Sequence, residues 1–374
     1  MKLYVHIPFC KSKCLYCDFK SFSCKENNNV SVYLNGLNRE IALAGEEFKD
    51  RNITSVYIGG GTPSLLDNEQ LCSLISTLQS SFKIPKDAEF TVECNPESIT
   101  REKLAFLRTQ GVNRISLGVQ SLFDDNLKAI GRVHDRATAL EKIALAREYF
   151  DNLSVDFIVG LPHDTFDKVK DEIDLVAPLV SHVSVYMLQV EEGTPLEMLV
   201  KDGKIAIPDE DTQVELFEHA CNTLQGHGFE RYEVSNFSKN GCVSNHNVGY
   251  WTREEYLGLG LNASGLIKDK FTAVERRVKN TDNLEKYLLD ALNSTSYFDF
   301  DRDEYLLSNE EIFEESVMLG LRLNTGVDKA LLGEDRLQVL LSKFDDYVID
   351  REDKIALNGK GMDVMNSILV EILG

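Results

Sequence analysis

Three cysteines, Cys10, Cys14 and Cys17, stand within eight positions directly after an apolar run. Thiolates are soft ligands that suit zinc or an iron–sulfur cluster. A loop with the spacing C-x3-C-x2-C can wrap a cubane-like cluster, hold three of its irons and leave the fourth open to another molecule. A structural zinc site wants four protein ligands, and the nearest fourth, His6, lies in a predicted strand where packing or support of the site is its expected role. The spacing therefore favours a 4Fe-4S cluster over zinc.

A glycine-rich turn, GGGTP at residues 59–63, follows the second predicted strand. Glycine lets the backbone approach a ligand where a side chain would not. Backbone amides at Gly60 and Gly61, together with Thr62, can then meet the polar groups of a bound molecule. A glycine turn alone is a weak signal, but one that follows the three cysteines in this order predicts a ligand site.

Four polar residues are expected at the rim where the predicted strands end. The carboxylates Glu93 and Asp156 offer acceptors to a ribose diol or an ammonium group, and Gln120 and Arg132 offer donors to a sugar or a carboxylate. Taken one at a time, each is more often a structural hydrogen-bonding residue. Because parallel strands end at one rim, their shared position predicts a common ligand there.

Composition excludes several classes of protein. The chain has 374 residues, 43% of them hydrophobic, and a net charge of −21, which argues against nucleic acid as a partner. Eight scattered cysteines do not form a disulfide framework. The sequence shows no apolar stretch long enough to span a bilayer and no signal-peptide pattern, so we expect a cytoplasmic protein. The sequence leaves a peripheral membrane contact and the oligomeric state open.

The first half of the chain alternates short β-rich runs with longer helical patterns, as in an α/β fold. The predicted strands are residues 3–9, 55–60, 89–94, 114–120, 154–160 and 182–189, and clear helical patterns cover 30–48 and 68–82. Six such units in a row predict a parallel sheet with helices outside. A curved, partial (βα) barrel fits this pattern better than a flat doubly wound sheet.

After residue 190 the alternation fades. A helical pattern covers 209–227, a loop-rich stretch follows, and a hairpin is predicted at 261–278. From about residue 308 the pattern resembles a small winged-helix-like α+β module, whose many acidic residues argue against DNA binding and favour a lid or dimerisation domain. The predicted division is a core at 1–230, an extension at 231–300 and a C-terminal domain at 301–374.

The cysteine spacing is similar to that of the radical S-adenosylmethionine (SAM) enzymes. Nearly the whole chain resembles the oxygen-independent coproporphyrinogen oxidase group and, within it, the HemW-type haem chaperones. The stretches that carry the resemblance are YVHIPFC, YIGGGTPS, VECNPES, RISLGVQS, GRVHD, VDFIVGLP, YEVSNF and HNVGYW. It implies a partial (βα)6 TIM-like barrel in which SAM chelates the open iron of a cluster on the three cysteines. The implied SAM neighbours are Tyr4, Gly60, Gly61, Thr62, Glu93, Gln120, Arg132 and Asp156, with Phe19 near the adenine.

Two departures distinguish the chain from the decarboxylating, HemN-type members of that group. Those members have a further cysteine where this chain has Phe19, and a substantial N-terminal extension where only three residues precede Tyr4. The resemblance therefore favours a chaperone that binds haem and transfers it to haem-accepting proteins, with a reductant for the cluster. A coproporphyrinogen III oxidase is the alternative.

The HNVGYW stretch, residues 246–251, holds the only tryptophan of the chain. Histidine is a common axial ligand of haem iron. We therefore expect His246 to ligate haem from an adaptable loop, with Tyr250 and Trp251 beside the macrocycle. The alternatives are that His246 caps a loop while Trp251 packs in the core, or that Cys242 or another histidine is the ligand.

Overall fold

The computed structural model describes residues 1–23 and 27–374. Its strands are β1 (Lys2–Ile7), β2 (Phe9–Cys10), β3 (Phe22–Ser23), β4 (Ser55–Gly60), β5 (Glu89–Cys94), β6 (Arg114–Gln120), β7 (Asn152–Val159), β8 (His182–Met187), β9 (Glu230–Arg231), β10 (Asn236–Ser238), β11 (Tyr256–Leu259), β12 (Ser264–Lys268), β13 (Glu275–Asn280), β14 (Arg302–Leu306), β15 (Val327–Asp328), β16 (Val348–Asp350) and β17 (Lys354–Leu357). Its helices are α1 (Asn27–Glu47), α2 (Asn68–Ser81), α3 (Arg101–Thr109), α4 (Asp124–Ala129), α5 (Arg136–Arg147), α6 (Phe166–Val176), α7 (Pro195–Lys201), α8 (Glu210–Gly226), α9 (Asn245–Trp251), α10 (Leu284–Asn293), α11 (Asn309–Gly320), α12 (Lys329–Lys343), α13 (Gly359–Asp363) and α14 (Met365–Leu373).

The central sheet contains the six predicted strands in chain order, β1-β4-β5-β6-β7-β8, with every neighbouring pair parallel. Strand β11 pairs parallel with β1 and is followed outward by antiparallel β12, β13 and β14, while antiparallel β10 and β9 extend the other edge. Within the described residues the two edge strands, β14 and β9, do not pair. The sheet is therefore open, and the predicted partial (βα)6 barrel is confirmed.

Alternation along β1 explains why the barrel has an apolar outside and a polar inside. Leu3, Val5 and Ile7 are fully buried in the core that the sheet shares with its helices. Since successive strand residues point to opposite faces, Tyr4 and His6 lie on the inner face. The same inner face carries Tyr57, Glu89, Glu93, Arg114, Ser116, Asp156, His182 and Ser184 from the other parallel strands. The interior of the barrel is therefore polar.

The C-terminal region has an apolar core of its own, which includes Val317, Leu340, Ile355 and Ile368. Strands β15, β17 and β16 form an antiparallel sheet of their own in that order. Helix α12 is interrupted at Gly333, whose φ of 76° is not helical. Along the chain, helix α11 is followed by strand β15, by the two halves of α12 and by the β16–β17 hairpin. This order is the predicted winged-helix-like arrangement. Strand β14, by contrast, belongs to the main sheet.

Two predictions for residues 231–278 have different outcomes. The predicted hairpin is confirmed, because β12 and β13 pair antiparallel with Leu266 opposite Arg277. The stretch predicted as loop-rich instead contains helix α9, which begins after Ser244, whose side chain accepts the Asn247 N–H. No helix among the described residues has the length and apolar character needed to cross a bilayer.

Candidate cofactor-binding site

A cavity of about 950 Å³ opens where the parallel strands end. The predicted site residues that line it are Cys10, Cys14, Cys17, Phe19, Gly60, Gly61, Thr62, Glu93, Gln120, Arg132 and Asp156. Tyr4 and His246 do not line it. The structure thus brings together residues that the chain separates by up to 146 positions, from Cys10 to Asp156, because parallel strands end at one rim.

The cysteine loop places three half-buried cysteines, none of them in a disulfide, on this cavity. Arg132 Nη1 lies 3.5 Å from the Cys14 sulfur, and the Thr62 hydroxyl lies 3.8 Å from that of Cys10. Burial raises the pKa of the Cys10 and Cys17 thiols. Among the described residues, no three His, Cys, Asp or Glu side chains are grouped closely enough to hold one metal ion.

The fit of a cluster to this loop rests on its donor set and on the space beside it. The three thiols that line the cavity are soft ligands of the kind that iron–sulfur clusters use. A Cβ atom at Gly61 would lie 3.0 Å from the Cys10 sulfur and 2.6 Å from the Phe9 carbonyl oxygen. Only glycine leaves that room, so the residues present fit a three-cysteine cluster.

Gly60 shows a second reason for the glycine turn. Its φ of 114° is a conformation that residues with a side chain rarely adopt. A Cβ atom there would also lie 2.6 Å from the His6 ring. The Gly60 N–H instead donates to Glu93 Oε2 at 2.9 Å, so the turn holds a carboxylate at the rim of the cavity.

Glu93 is the best-defined acceptor of the site. Its Oε1 accepts the Tyr57 hydroxyl at 2.7 Å, and burial raises its pKa to about 7. Burial also raises the pKa of Asp156, whose two carboxylate oxygens each lie 3.3 Å from the Ser116 hydroxyl. Two carboxylates that are costly to ionise when buried thus face one cavity, where an amino group or a diol would find acceptors.

Gln120 and Arg132 complete the rim in different ways. Gln120 has a φ of 70° beside an irregularity in the β6–β7 pairing, an uncommon backbone conformation for a residue with a side chain. Arg132 Nη2 donates to Asn95 Oδ1 at 3.1 Å and to the Gly118 carbonyl oxygen, while its buried Nε has no partner in the described residues. Arg132 therefore contacts both the cysteine loop and the strand ends, and its Nε–H group is left to donate to a ligand.

Asn95 is a site residue that the sequence reasoning did not single out. Its amide accepts from Arg132 and donates to the Thr62 hydroxyl at 3.1 Å, so it links three parts of the rim. The available signal was its position directly after Cys94 at a strand end. That signal is weak, because asparagine is also common in ordinary turns.

Tyr4 lies below the cavity instead of on it. Its hydroxyl hydrogen bonds to His6 Nδ1 at 2.9 Å, and its ring stacks on Tyr57 with centroids 6.2 Å apart. Because Tyr57 in turn donates to Glu93, Tyr4 supports the rim of the cavity through its contact with Tyr57.

His246 requires a correction. It is 1% exposed within helix α9, and both ring nitrogens are used: Nδ1 bonds to the Ser55 hydroxyl and Nε2 to the Tyr250 hydroxyl, each at 2.8 Å. Burial lowers its pKa to about 3. Ser55 begins its strand, so His246 lies at the opposite end of the barrel from the cavity. The interpretation of this stretch as an adaptable loop is wrong, and neither nitrogen of His246 is left for an iron.

The cavity also has lining residues that the sequence did not predict, which we call its far side. Tyr186, Met187, Val234, Arg322 and the segment 362–367 line it, and the last two come from the C-terminal region. Of these residues, only Val234 lies in a stretch that carries the resemblance, YEVSNF, and none was singled out as a site residue. Their position follows from how the C-terminal region packs on the barrel.

Comparison with known proteins identifies relatives of the chain. The Radical SAM superfamily model matches residues 4–176. The Heme chaperone HemW of Bacillus subtilis is 36% identical over 94% of this chain and 91% of its own length. The Heme chaperone HemW of Mycobacterium tuberculosis is 34% identical over 100% of this chain and 94% of its own length. A mitochondrial radical S-adenosyl methionine domain-containing protein 1 from Danio rerio is 33% identical over 87% of this chain and 73% of its own length.

A solved structure is similar throughout the chain. Coproporphyrinogen III oxidase (HemN) from Escherichia coli, a radical SAM enzyme, matches with a TM-score of 0.83 over 99% of this chain and 89% of that one. At 24% identity this likeness shows the fold. The family is shown by the relatives above: the chain belongs to the HemW family of radical SAM proteins.

Proposed function

We propose that this protein is a haem chaperone that carries a 4Fe-4S cluster, binds SAM and transfers haem to haem-requiring proteins. Support for the haem part comes from the relatives named heme chaperone HemW, which align with nearly the whole chain. The observation that carries the cofactor part is the single cavity on which three thiols, the glycine turn and two buried carboxylates meet.

The proposed cluster ligands are Cys10, Cys14 and Cys17. When bound, such a cluster supplies single electrons and offers its open iron to the amino and carboxylate groups of SAM. Burial disfavours the thiolate of Cys10 and Cys17, so cluster assembly must release protons from these thiols. The nearby Arg132 guanidinium, 3.5 Å from Cys14, offsets negative charge at that ligand.

The remaining rim residues have proposed roles toward SAM. Glu93 accepts N–H groups of its amino end, and the backbone of Gly60 and Gly61 lets that end approach closely. Asp156 and Gln120 receive the ribose hydroxyls. Phe19, which is 61% exposed and lines the cavity, offers a ring face to the adenine.

The second candidate function is oxidative decarboxylation of coproporphyrinogen III, which the HemN-like fold admits. The observation against it is Phe19, an apolar ring on the cavity where the HemN type has a further cysteine. The fold itself does not separate the two functions, because HemN shares it.

Parallel anaerobic incubations test the proposal. The reconstituted protein receives either haem, followed by the Soret band, or coproporphyrinogen III with SAM and a reductant, followed by product analysis. We expect saturable haem binding and no conversion of propionates to vinyl groups. Turnover of coproporphyrinogen III without haem binding would replace the chaperone by the oxidase.

A further inference from the structure

The cavity has two sides, and the proposed cluster and SAM residues account for one. Those residues come from the cysteine loop, from strands up to β7 and from the segments that follow β4 and α4, whereas Tyr186, Met187, Val234, Arg322 and Val364 come from β8 and later parts of the chain. We propose that the far side is the haem site and that Arg322 anchors a haem carboxylate there. This inference rests on the proposed function, since it assigns a place to the haem that the chaperone would carry.

The far side has the surface that a flat, apolar macrocycle needs. Tyr186, Met187 and Val364 are 43%, 41% and 40% exposed. All three line the cavity. Apolar area that faces a cavity, together with a few polar groups, is typical of small-molecule sites, and about 950 Å³ is at the large end of their range. The far side therefore offers apolar area to a ligand that the cluster and SAM residues do not account for.

Arg322 supplies the charge complement to a propionate. A guanidinium has five N–H donors. That of Arg322 has one long ion pair, 3.8 Å from Glu233 Oε2, and its buried Nε has no partner in the described residues. The other oxygen of Glu233 is already bonded to the Ser235 N–H and the Asn236 amide. Arg322 therefore has donors left for a carboxylate, the anion that a guanidinium binds in paired fashion.

Trp251 gives the HNVGYW helix a role at this site. The centre of the Arg322 guanidinium lies 4.3 Å from the Trp251 ring, a cation–π arrangement that fixes the arginine over the end of α9. Earlier in the same helix, the bond of His246 to Ser55 anchors α9 to the start of β4. The stretch thus acts on haem as a positioning element through Arg322, and it supplies no iron ligand.

The test compares haem with its dimethyl ester, which lacks free carboxylates, both delivered from one detergent stock to the reconstituted protein. We expect the wild type to favour free haem over the ester. Arg322→Met should lose about tenfold to a hundredfold in affinity for free haem and little for the ester. Trp251→Leu should reduce the preference in part, and Trp251→Phe, which keeps a ring under the guanidinium, should restore it.

Arg336→Met is the matched control. Arg336 also stacks on an aromatic ring, Phe313 at 4.7 Å, and donates to the Ile372 carbonyl oxygen, but it does not line the cavity. Iron content and circular dichroism check that each variant is folded and loaded, and Arg322→Lys provides a second variant that keeps the charge.

Three outcomes count against the inference. If wild type and Arg322→Met have the same affinity for haem, the inference is overturned and the chaperone proposal still stands. Equal losses for haem and ester mean that Arg322 acts on structure alone, which also overturns it. If the wild type binds neither porphyrin, the chaperone proposal and the inference fail together.

Discussion

At the end of the barrel where the strands begin, His246 bonds to Ser55 and Tyr250, whereas at the end where they finish, Glu93 and Asp156 face an open cavity. Glu89, also at the beginning, accepts the first N–H groups of helix α9 at 2.8 and 2.9 Å. Both ends place polar groups inside the barrel. They differ in whether a protein element covers those groups. Helix α9 covers them where the strands begin, which we call the covered end, and the cavity lies where the strands finish, which we call the open end.

This difference separates structural from functional polar residues. A buried polar group with all its partners in the protein stabilises the fold, and a ligand could bind it only by breaking those bonds. A buried polar group beside empty space still has capacity for a ligand. The two ends therefore predict opposite effects of substitution: loss of stability at the covered end and loss of binding at the open end.

The largest expected effect is at the cysteine loop. Cys14→Ala should abolish the cluster, because two thiolates remain. Circular dichroism should show the barrel still folded, since the half-buried Cys14 side chain is not part of the apolar core. Iron analysis and the brown absorption band measure this, with about four irons per chain expected for the wild type. Cys72→Ala, on α2 and away from the cavity, is the matched control. Unchanged iron content in Cys14→Ala would contradict the assignment.

The next effect is on SAM binding. Glu93→Gln keeps the shape of the side chain but removes its charge, so we expect a tenfold to hundredfold loss of affinity, measured by equilibrium dialysis of the reconstituted protein. The pKa of Glu93 is about 7, so the carboxylate is ionised above that pH and protonated below it. Wild-type affinity should therefore fall as the pH drops through 7, and that of Glu93→Gln should not. A wild-type affinity independent of pH in this range would count against the role of Glu93.

At the covered end, His246→Ala should affect stability. The change leaves the Ser55 and Tyr250 hydroxyls without this partner and opens a cavity, so the free energy of unfolding should fall by about 2 to 4 kcal/mol in a urea titration. Iron content and the position of the haem Soret band should stay those of the wild type. A shifted Soret band with unchanged stability would return His246 to the role of haem ligand.

The smallest effect is expected for Tyr57→Phe, which lies between the two ends. The Tyr57 hydroxyl donates to Glu93 and lowers its pKa against the effect of burial. Without it, SAM affinity should fall about twofold to tenfold, and the midpoint of its pH dependence should move upward from about 7. A downward shift of that midpoint would show that the hydroxyl does not stabilise the ionised carboxylate.

The sequence predicted the strands and the open end well because each depends on local signals. Leu3, Val5 and Ile7 alternate with polar residues, and parallel strands end at one rim, so the cysteines and Glu93 had to lie near each other. His246 was misjudged because its type suggested iron, while its burial depends on Ser55, which is 191 positions away in the chain. Arg322 was missed for the same reason. Its neighbours across the cavity come from packing that no local pattern encodes.

The most direct test of the chaperone account is a haem-transfer measurement. The reconstituted protein, loaded with haem and freed of excess, is mixed anaerobically with an apo-haemoprotein whose Soret band differs from its own. We expect the band of the acceptor to grow as that of the donor declines, at a rate faster than haem release in the absence of acceptor. Haem that stays on the protein, or transfers only as fast as it dissociates, would contradict the account.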